Sequence, residues 1–159
     1  MIKHLEKEEL FKCCGCTIWA DRLASKFPFQ SLEELKKESD NIWFSLSEND
    51  WKEAFAHHPK IGDVKSLQEK FASTKQWASG EQAGVNTATQ TILQELKNGN
   101  DDYEKKFGYI FIICATGKSA EEMLTILKSR INNSPEEEIE IAAAEQNKIT
   151  HLRIDKLFA

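Results

Sequence analysis

The stretch SENDWKEAFAHHPKIGD, residues 47–63, contains a helix, the signal that ends it and the turn with the most reactive side chains. Its first half has helical spacing, with Trp51 and Phe55 on the inward face. Pro59 ends that helix, because a residue before proline is disfavoured in the α region. His58 is therefore predicted to lie at a forced bend.

A histidine held at such a bend is suited to acid–base chemistry. An unperturbed imidazole titrates near ~6.5, so His58 can hold or release a proton at neutral pH. Gly62 then allows a second turn that residues with a β-carbon resist. The stretch is either the centre of an active site or an exposed turn with two incidental histidines, and these residues alone leave both open.

Helical spacing continues on both sides of this stretch, and helix starts are well marked. Ser31 with Glu34 and Ser119 with Glu122 have the spacing of capping boxes. Pro135 follows a serine and precedes two acids, which favours the first turn of a long last helix. The sequence predicts an all-α protein, a single domain over residues 1–159 that forms a helical bundle of roughly seven to nine helices.

Two segments in the middle of the chain qualify this prediction. Asn98-Gly99-Asn100 is predicted to end a helix that begins near Glu81, with a short separate helix over 101–107. Residues 109–115, YIFIICA, would suit a buried strand, but the chain offers no partner strand. An extended segment through a helical core, whose free backbone groups could bind a ligand, and plain core packing both remain open.

Composition excludes several function classes. The chain has 159 residues and a net charge of −5, with 26 acidic against 21 basic residues, which argues against nucleic-acid and anionic-membrane partners. No segment approaches the ~20 apolar residues of a membrane span, and Met1 to Leu10 has no signal-peptide pattern. We therefore expect a cytoplasmic protein. Phosphate-binding, serine-hydrolase and zinc-protease motifs do not occur.

Three of the four cysteines, Cys13, Cys14 and Cys16, lie within four residues. This spacing is poor for a disulfide framework, and a zinc site would need distant ligands. Buried packing at a helix–helix turn is the favoured interpretation, and metal or redox use is the minor alternative.

Three further polar features stand out from the helical background. Glu81 and Gln82 begin a helix beside Ser79, and Arg153 lies among apolar residues of the last helix. Together with His58 they could move protons and hold a negatively charged group. Each also has an ordinary explanation: a helix-dipole acid, a surface amide and a cation whose stem packs on apolar surface. Spacing alone does not show that they meet.

The order of these segments resembles one enzyme family. Residues 57–63, HHPKIGD, are similar to the HPxIGD signature of the OHCU decarboxylases (2-oxo-4-hydroxy-4-carboxy-5-ureidoimidazoline decarboxylases) of urate degradation, and residues 77–84, WASGEQAG, to their WSxxEQAG segment. Residues 13–20 look like the CCGS-xx-WA turn of the bacterial branch. Residues 103–119 resemble the YxxKFG…GKS block, and residues 130–153 the C-terminal pattern that ends in arginine.

The resemblance implies an all-helical lyase, usually a homodimer, that needs no metal or organic cofactor. It would decarboxylate the ureidoimidazoline OHCU to (S)-allantoin. His58 matches the family's catalytic histidine and Glu81 the acid that partners it. The substrate-contacting positions of the family match Pro59, Ala78, Ser79, Gly80, Gln82, Phe111, Ile112, Ile113, Cys114, Ala115 and Arg153.

One departure from the family pattern concerns Ala78, which stands where many members have a serine in contact with substrate. Ser79 is adjacent but would point about 100° away on a helix. One hydrogen bond worth ~0.5–1.5 kcal/mol is therefore lost unless another group replaces it. A helical binding protein without turnover is the alternative of a different class, and the joint presence of His58, Glu81 and Arg153 speaks against it.

Overall fold

The structure, a computed structural model, describes residues 1–59 and 87–159, and the side chains of the second range from residue 90 on. Over these residues the chain forms seven helices and no strand, which confirms the all-α prediction. None of these helices is long and apolar enough to cross a lipid bilayer. In chain order they are α1 (Lys7–Cys13), α2 (Thr17–Ala24), α3 (Leu32–Trp43), α4 (Glu48–Ala56), α5 (Thr87–Phe107), α6 (Ala120–Arg130) and α7 (Pro135–Leu157).

The predicted helix starts are confirmed at the level of single hydrogen bonds. The hydroxyls of Ser31 and Ser119 each accept a hydrogen bond from the backbone amide three residues on, both at 3.1 Å. At Ser119 the Glu122 side chain also accepts from the Ser119 amide, which completes the capping box. Pro135 is the first residue of α7, a position where its missing N–H costs nothing.

The predicted stop at Asn98-Gly99-Asn100 is wrong, because α5 continues through it without a break. The reason is tertiary: a β-carbon on Gly99 would lie 2.5 Å from Leu127 Cδ2, so the glycine allows α5 and α6 to approach closely. The Asn100 amide meanwhile donates to the Leu96 carbonyl at 2.8 Å, a bond within the helix. Packing against α6 outweighs the local preference of these residues for a turn.

Contacts group the described residues into two compact units, and the first contains Met1–His58, Ile112–Cys114 and Ile139–Ala159. Its core includes two fully buried tryptophans that join distant segments through their indole N–H groups. Trp19 donates to Ser39 Oγ at 3.1 Å, and Trp43 donates to the Ala143 carbonyl on α7 at 2.9 Å. Buried indoles normally find such partners, so each tryptophan both fills the core and sets the position of a helix.

The second unit contains Pro59–Phe111 and Ala115–Glu138, and a buried ion pair lies in its core. Glu138 is fully buried and accepts from Arg130 Nε at 2.9 Å and from Nη2 at 2.5 Å. The hydroxyl of Tyr103 also donates to this carboxylate, and burial raises the pKa of that phenol, so it stays protonated. The guanidinium of Arg130 lies over the Phe111 ring, 4.6 Å from its centroid. A buried pair with this many partners holds α6 and the start of α7 in one arrangement.

Candidate active site

The bend at the end of α4 has the predicted form. The His57 amide donates to the Ala54 carbonyl at 3.1 Å, and the His58 amide donates to the Phe55 carbonyl at 3.2 Å. Both bonds span three residues, so the last turn is tighter than an α-helix. His58 therefore leaves the helix at a defined angle immediately before Pro59.

The two adjacent histidines have different environments. His57 is exposed and packs its ring edge-on against Phe11, with 4.9 Å between the centroids. Its side chain also lies close to Gly15, between α1 and α2. His58 is half-buried and its Nε2 lies 2.5 Å from Gln146 Oε1 on α7. His57 is therefore a packing residue, whereas His58 contacts a buried side chain of α7.

Gln146 is part of a buried polar group that the sequence did not single out. Its side chain is 0% exposed, and its Nε2 donates to Thr150 Oγ1 at 3.1 Å. The Thr150 hydroxyl in turn donates to the backbone carbonyl of Gln146 at 3.0 Å. The Thr150 side chain also acts to lower the pKa of the Cys14 thiol, against the larger effect of burial, which raises it. A signal was available: two polar residues four apart lie on the same helical face as buried Ala142.

Arg153 lies on the same helix, three residues after Thr150. Its Nη1 donates to the Cys13 carbonyl at 3.3 Å, where α1 ends. Its charge is close enough to His58 to lower the pKa of that imidazole. The structure thus brings the histidine and the arginine near each other, although 95 positions of the chain and, in the described part, two helices separate them.

The pKa of His58 lies below the ordinary value of 6.5. Burial is the largest cause of the lower pKa, and the charges of Arg153 and His57 lower it further. The hydrogen bond to Gln146 acts to raise it. His58 is accordingly neutral at pH 7, and a neutral imidazole can act as a base.

The segment 111–115 belongs to no helix and to no strand. Phe111, Ile112 and Cys114 are buried, whereas Ile113 and Ala115 are half-buried. The Cys114 amide donates to Glu145 Oε1 on α7 at 3.0 Å, so this amide already has a protein partner. The segment thus contributes to the core, and its extended conformation stays a prediction.

Six further residues were predicted for the site. Pro59 is exposed and follows the His58 bend. Ala78, Ser79, Gly80, Glu81 and Gln82 lie outside the described residues.

The clustered cysteines have the character of core residues, which confirms the favoured interpretation. Cys13, Cys14 and Cys16 are all buried where α1 meets α2. Burial raises the pKa of Cys13 to about 11 and raises those of Cys14 and Cys16 as well. Thiolate formation, which metal binding and thiol exchange both need, is therefore disfavoured here. Residues 1–59 and 87–159 contain no group of three or more His, Cys, Asp or Glu side chains that could hold a metal ion.

Known proteins are similar to this chain over most of its length. The uric acid degradation bifunctional protein TTL of Arabidopsis thaliana is 41% identical over 160 residues, an alignment that covers 100% of this chain and 49% of that protein. The 2-oxo-4-hydroxy-4-carboxy-5-ureidoimidazoline decarboxylase of Xenopus laevis is 29% identical over 90% of this chain and 81% of its own length. The chain thus spans about half the length of the Arabidopsis relative.

Solved structures have the same fold. A crystal structure of OHCU decarboxylase in the presence of (S)-allantoin has a TM-score of 0.76 and 41% identity, covering 97% of this chain and 99% of that one. A crystal structure of (S)-allantoin synthase, at 17% identity and a TM-score of 0.70 over 94% of this chain and 48% of that one, shares the fold. The family model described as OHCU decarboxylase matches residues 3–155. Since that match covers nearly the whole sequence, the chain belongs to the OHCU decarboxylase family.

Proposed function

We propose that this chain decarboxylates OHCU to (S)-allantoin in urate degradation, with His58 as the acid–base group. The observation that carries the proposal is a half-buried imidazole in contact with Gln146, with the Arg153 guanidinium near enough to lower its pKa. The first can move a proton at neutral pH, and the second can bind an anionic carboxylate. Family membership supports the choice of substrate.

The chemistry of the substrate fits a site of this kind. OHCU carries an imine next to the carbon that bears the carboxylate and the hydroxyl. When the carbon–carboxylate bond breaks, CO₂ leaves and the electron pair enters the conjugated ring, so the substrate supplies its own electron sink. The imine nitrogen, which receives the electron pair, takes up one proton from solvent. The hydroxyl loses its proton as it becomes the carbonyl of allantoin, and the neighbouring carbon gains one. The protein has to orient the carboxylate and to direct the protons.

Each role has a candidate in this chain. His58 takes or hydrogen-bonds the substrate hydroxyl proton, and Arg153 binds the charged end. Glu81 and Gln82 hold the ureido side and assist proton transfer; the resemblance supports this assignment, because it matches Glu81 to the acid that partners the histidine. The remaining proposed contacts are Pro59, Ala78, Ser79, Gly80 and the extended segment Phe111, Ile112, Ile113, Cys114 and Ala115.

We further propose that residues 1–159 act as one OHCU decarboxylase-like domain, as a cytoplasmic homodimer, and without a metal or organic cofactor. The family resemblance supports the dimer, and the electron sink in the substrate supports the absence of a cofactor. Light scattering of the purified protein measures the oligomeric state. Turnover after treatment with a chelator tests whether a metal is required, and full activity is expected.

The proposal is tested by generating OHCU from urate with the two preceding enzymes and following its decay and the circular dichroism of the allantoin. We expect fast decay to one enantiomer. His58→Asn should lower turnover at least ~10²-fold, since a positioned acid–base group contributes ~10²–10⁴-fold. His57→Asn is the matched control, because it makes the same change one residue away, and should keep turnover close to that of the unmodified protein. Unchanged slow decay to racemic allantoin would overturn the proposal and favour a binding protein.

A further inference from the structure

Helix α7 carries two buried polar side chains near the His58 bend. Gln146 and Thr150 are 0% and 1% exposed, and they face the first unit's core. Burying an amide and a hydroxyl is costly unless each donor and acceptor has a partner. Their hydrogen bonds are therefore few and well defined.

The bonds of this pair determine which way the Gln146 amide points. The Thr150 hydroxyl donates its single proton to the backbone carbonyl of Gln146 at 3.0 Å. Its oxygen then accepts from Gln146 Nε2 at 3.1 Å. With the amide nitrogen directed at Thr150, the amide oxygen Oε1 is directed at His58.

That orientation decides the tautomer of His58. An amide oxygen can only accept, so His58 Nε2, 2.5 Å away, has to carry the proton. The other ring nitrogen, Nδ1, then holds the lone pair. Among the residues that the structure describes, Nδ1 has no hydrogen-bond partner of its own.

We propose that Gln146, oriented by Thr150, is a positioning residue that holds His58 in the Nε2–H tautomer and leaves Nδ1 as the basic nitrogen for substrate. The proposal rests on the proposed function for its catalytic consequence, whereas the tautomer itself is a property of the free protein. In this arrangement α7 contributes Arg153 and also the buried pair that orients the base. A base in the wrong tautomer loses up to ~10⁴-fold in turnover, so such a device has a clear use.

The tautomer can be measured directly by NMR with ¹⁵N-labelled histidine. Long-range ¹H–¹⁵N spectra near about pH 8, where imidazoles are neutral, distinguish a protonated from an unprotonated ring nitrogen. The chain has four histidines, and His58→Asn assigns the signal. We expect a single Nε2–H species in the unmodified protein. A predominant Nδ1–H species would mean that the amide points the other way and would overturn the proposal.

Substitutions test the roles of the two buried side chains. Gln146→Leu removes the acceptor, and Thr150→Val removes the hydroxyl at constant shape, so both should give a mixture of tautomers. Thr150→Ser keeps the hydroxyl and should restore the single species. In the turnover assay kcat should fall by ~10²-fold in Gln146→Leu, because the imidazole is no longer held, with a much smaller change in KM. A pure Nε2–H species with unchanged kcat in both Gln146→Leu and Thr150→Val would refute the positioning role.

The design separates this inference from the proposed function. If the protein does not turn over OHCU but shows the single tautomer and its loss in Thr150→Val, only the proposed function fails. If turnover is fast but the tautomer is mixed in the unmodified protein, only this inference fails. If Gln146→Leu does not fold, the comparison of Thr150→Val with Thr150→Ser decides the question alone.

Discussion

Replacing Gly15 by alanine should damage the active site from the far side of the histidine bend. An added β-carbon would lie 2.5 Å from Cγ, 2.6 Å from Cβ and 2.8 Å from Cδ2 of His57. Carbon atoms pack at about 3.5–4.0 Å, so His57 would have to retreat by roughly 1 Å. The ring cannot simply rotate away, because Cβ itself is in the clash and the ring is packed against Phe11. The end of α4 has to move instead, and His58 moves with it.

The magnitude follows from that displacement. Forcing a methyl group into a packed site costs about 1–3 kcal/mol of the free energy of unfolding. A catalytic group misplaced by about 1 Å can cost ~10²-fold in rate. We therefore expect Gly15→Ala to lower the free energy of unfolding by about 2 kcal/mol and kcat by up to ~10²-fold.

Urea unfolding followed by tryptophan fluorescence and OHCU turnover measure the two effects. His57→Ala removes the clashing side chain, so the double variant should recover much of the kcat that Gly15→Ala loses, a coupling that a double-mutant cycle quantifies. Unaltered stability and turnover in Gly15→Ala would refute the close contact between the α1–α2 turn and His57. A loss that His57→Ala does not reduce would refute the proposed route to His58.

Three other predictions follow from the described contacts. Glu138→Gln leaves Arg130 buried beside a neutral amide and should lower the free energy of unfolding in urea by about 3–5 kcal/mol. Glu137→Gln, at the exposed start of α7, should lower it by less than about 1 kcal/mol. Equal losses in the two variants would contradict the buried pair. Burial lowers the pKa of His58 in the folded protein. The stability that the neutral imidazole contributes is therefore complete above the unfolded pKa of 6.5 and is lost as pH falls through the lower folded pKa. The acid limb of kcat/KM should accordingly have a midpoint below 6.5, and a midpoint above it would contradict the desolvated site. The Cys14 thiol should react with a disulfide reagent at the rate of unfolding, and fast reaction of the native protein would show that it is accessible.

Much of the fold was predictable because its signals are local. Helical spacing, the serine caps and Pro135 act within one or two turns, and the helices begin where these residues indicate. Asn98-Gly99-Asn100 is the instructive failure, because the same residues that favour a turn in isolation continue a helix when Leu127 packs against Gly99. That contact joins two helices, and no local pattern contains it.

For the candidate site, too, some features follow from the sequence and others only from the tertiary structure. The sequence by itself determined that His58 lies at a proline-induced bend and, through ordered motifs, which family the chain resembles. It also identified Arg153 as an unusual cation on an apolar helix. Only the tertiary structure decided that His57 packs against Phe11, that Arg153 reaches the end of α1, and that Gln146 contacts the His58 imidazole. The physical reason is that a tautomer, a desolvated pKa and an amide orientation depend on partners almost a hundred residues apart, which only the packing of α7 against α1 and α4 brings within hydrogen-bonding distance.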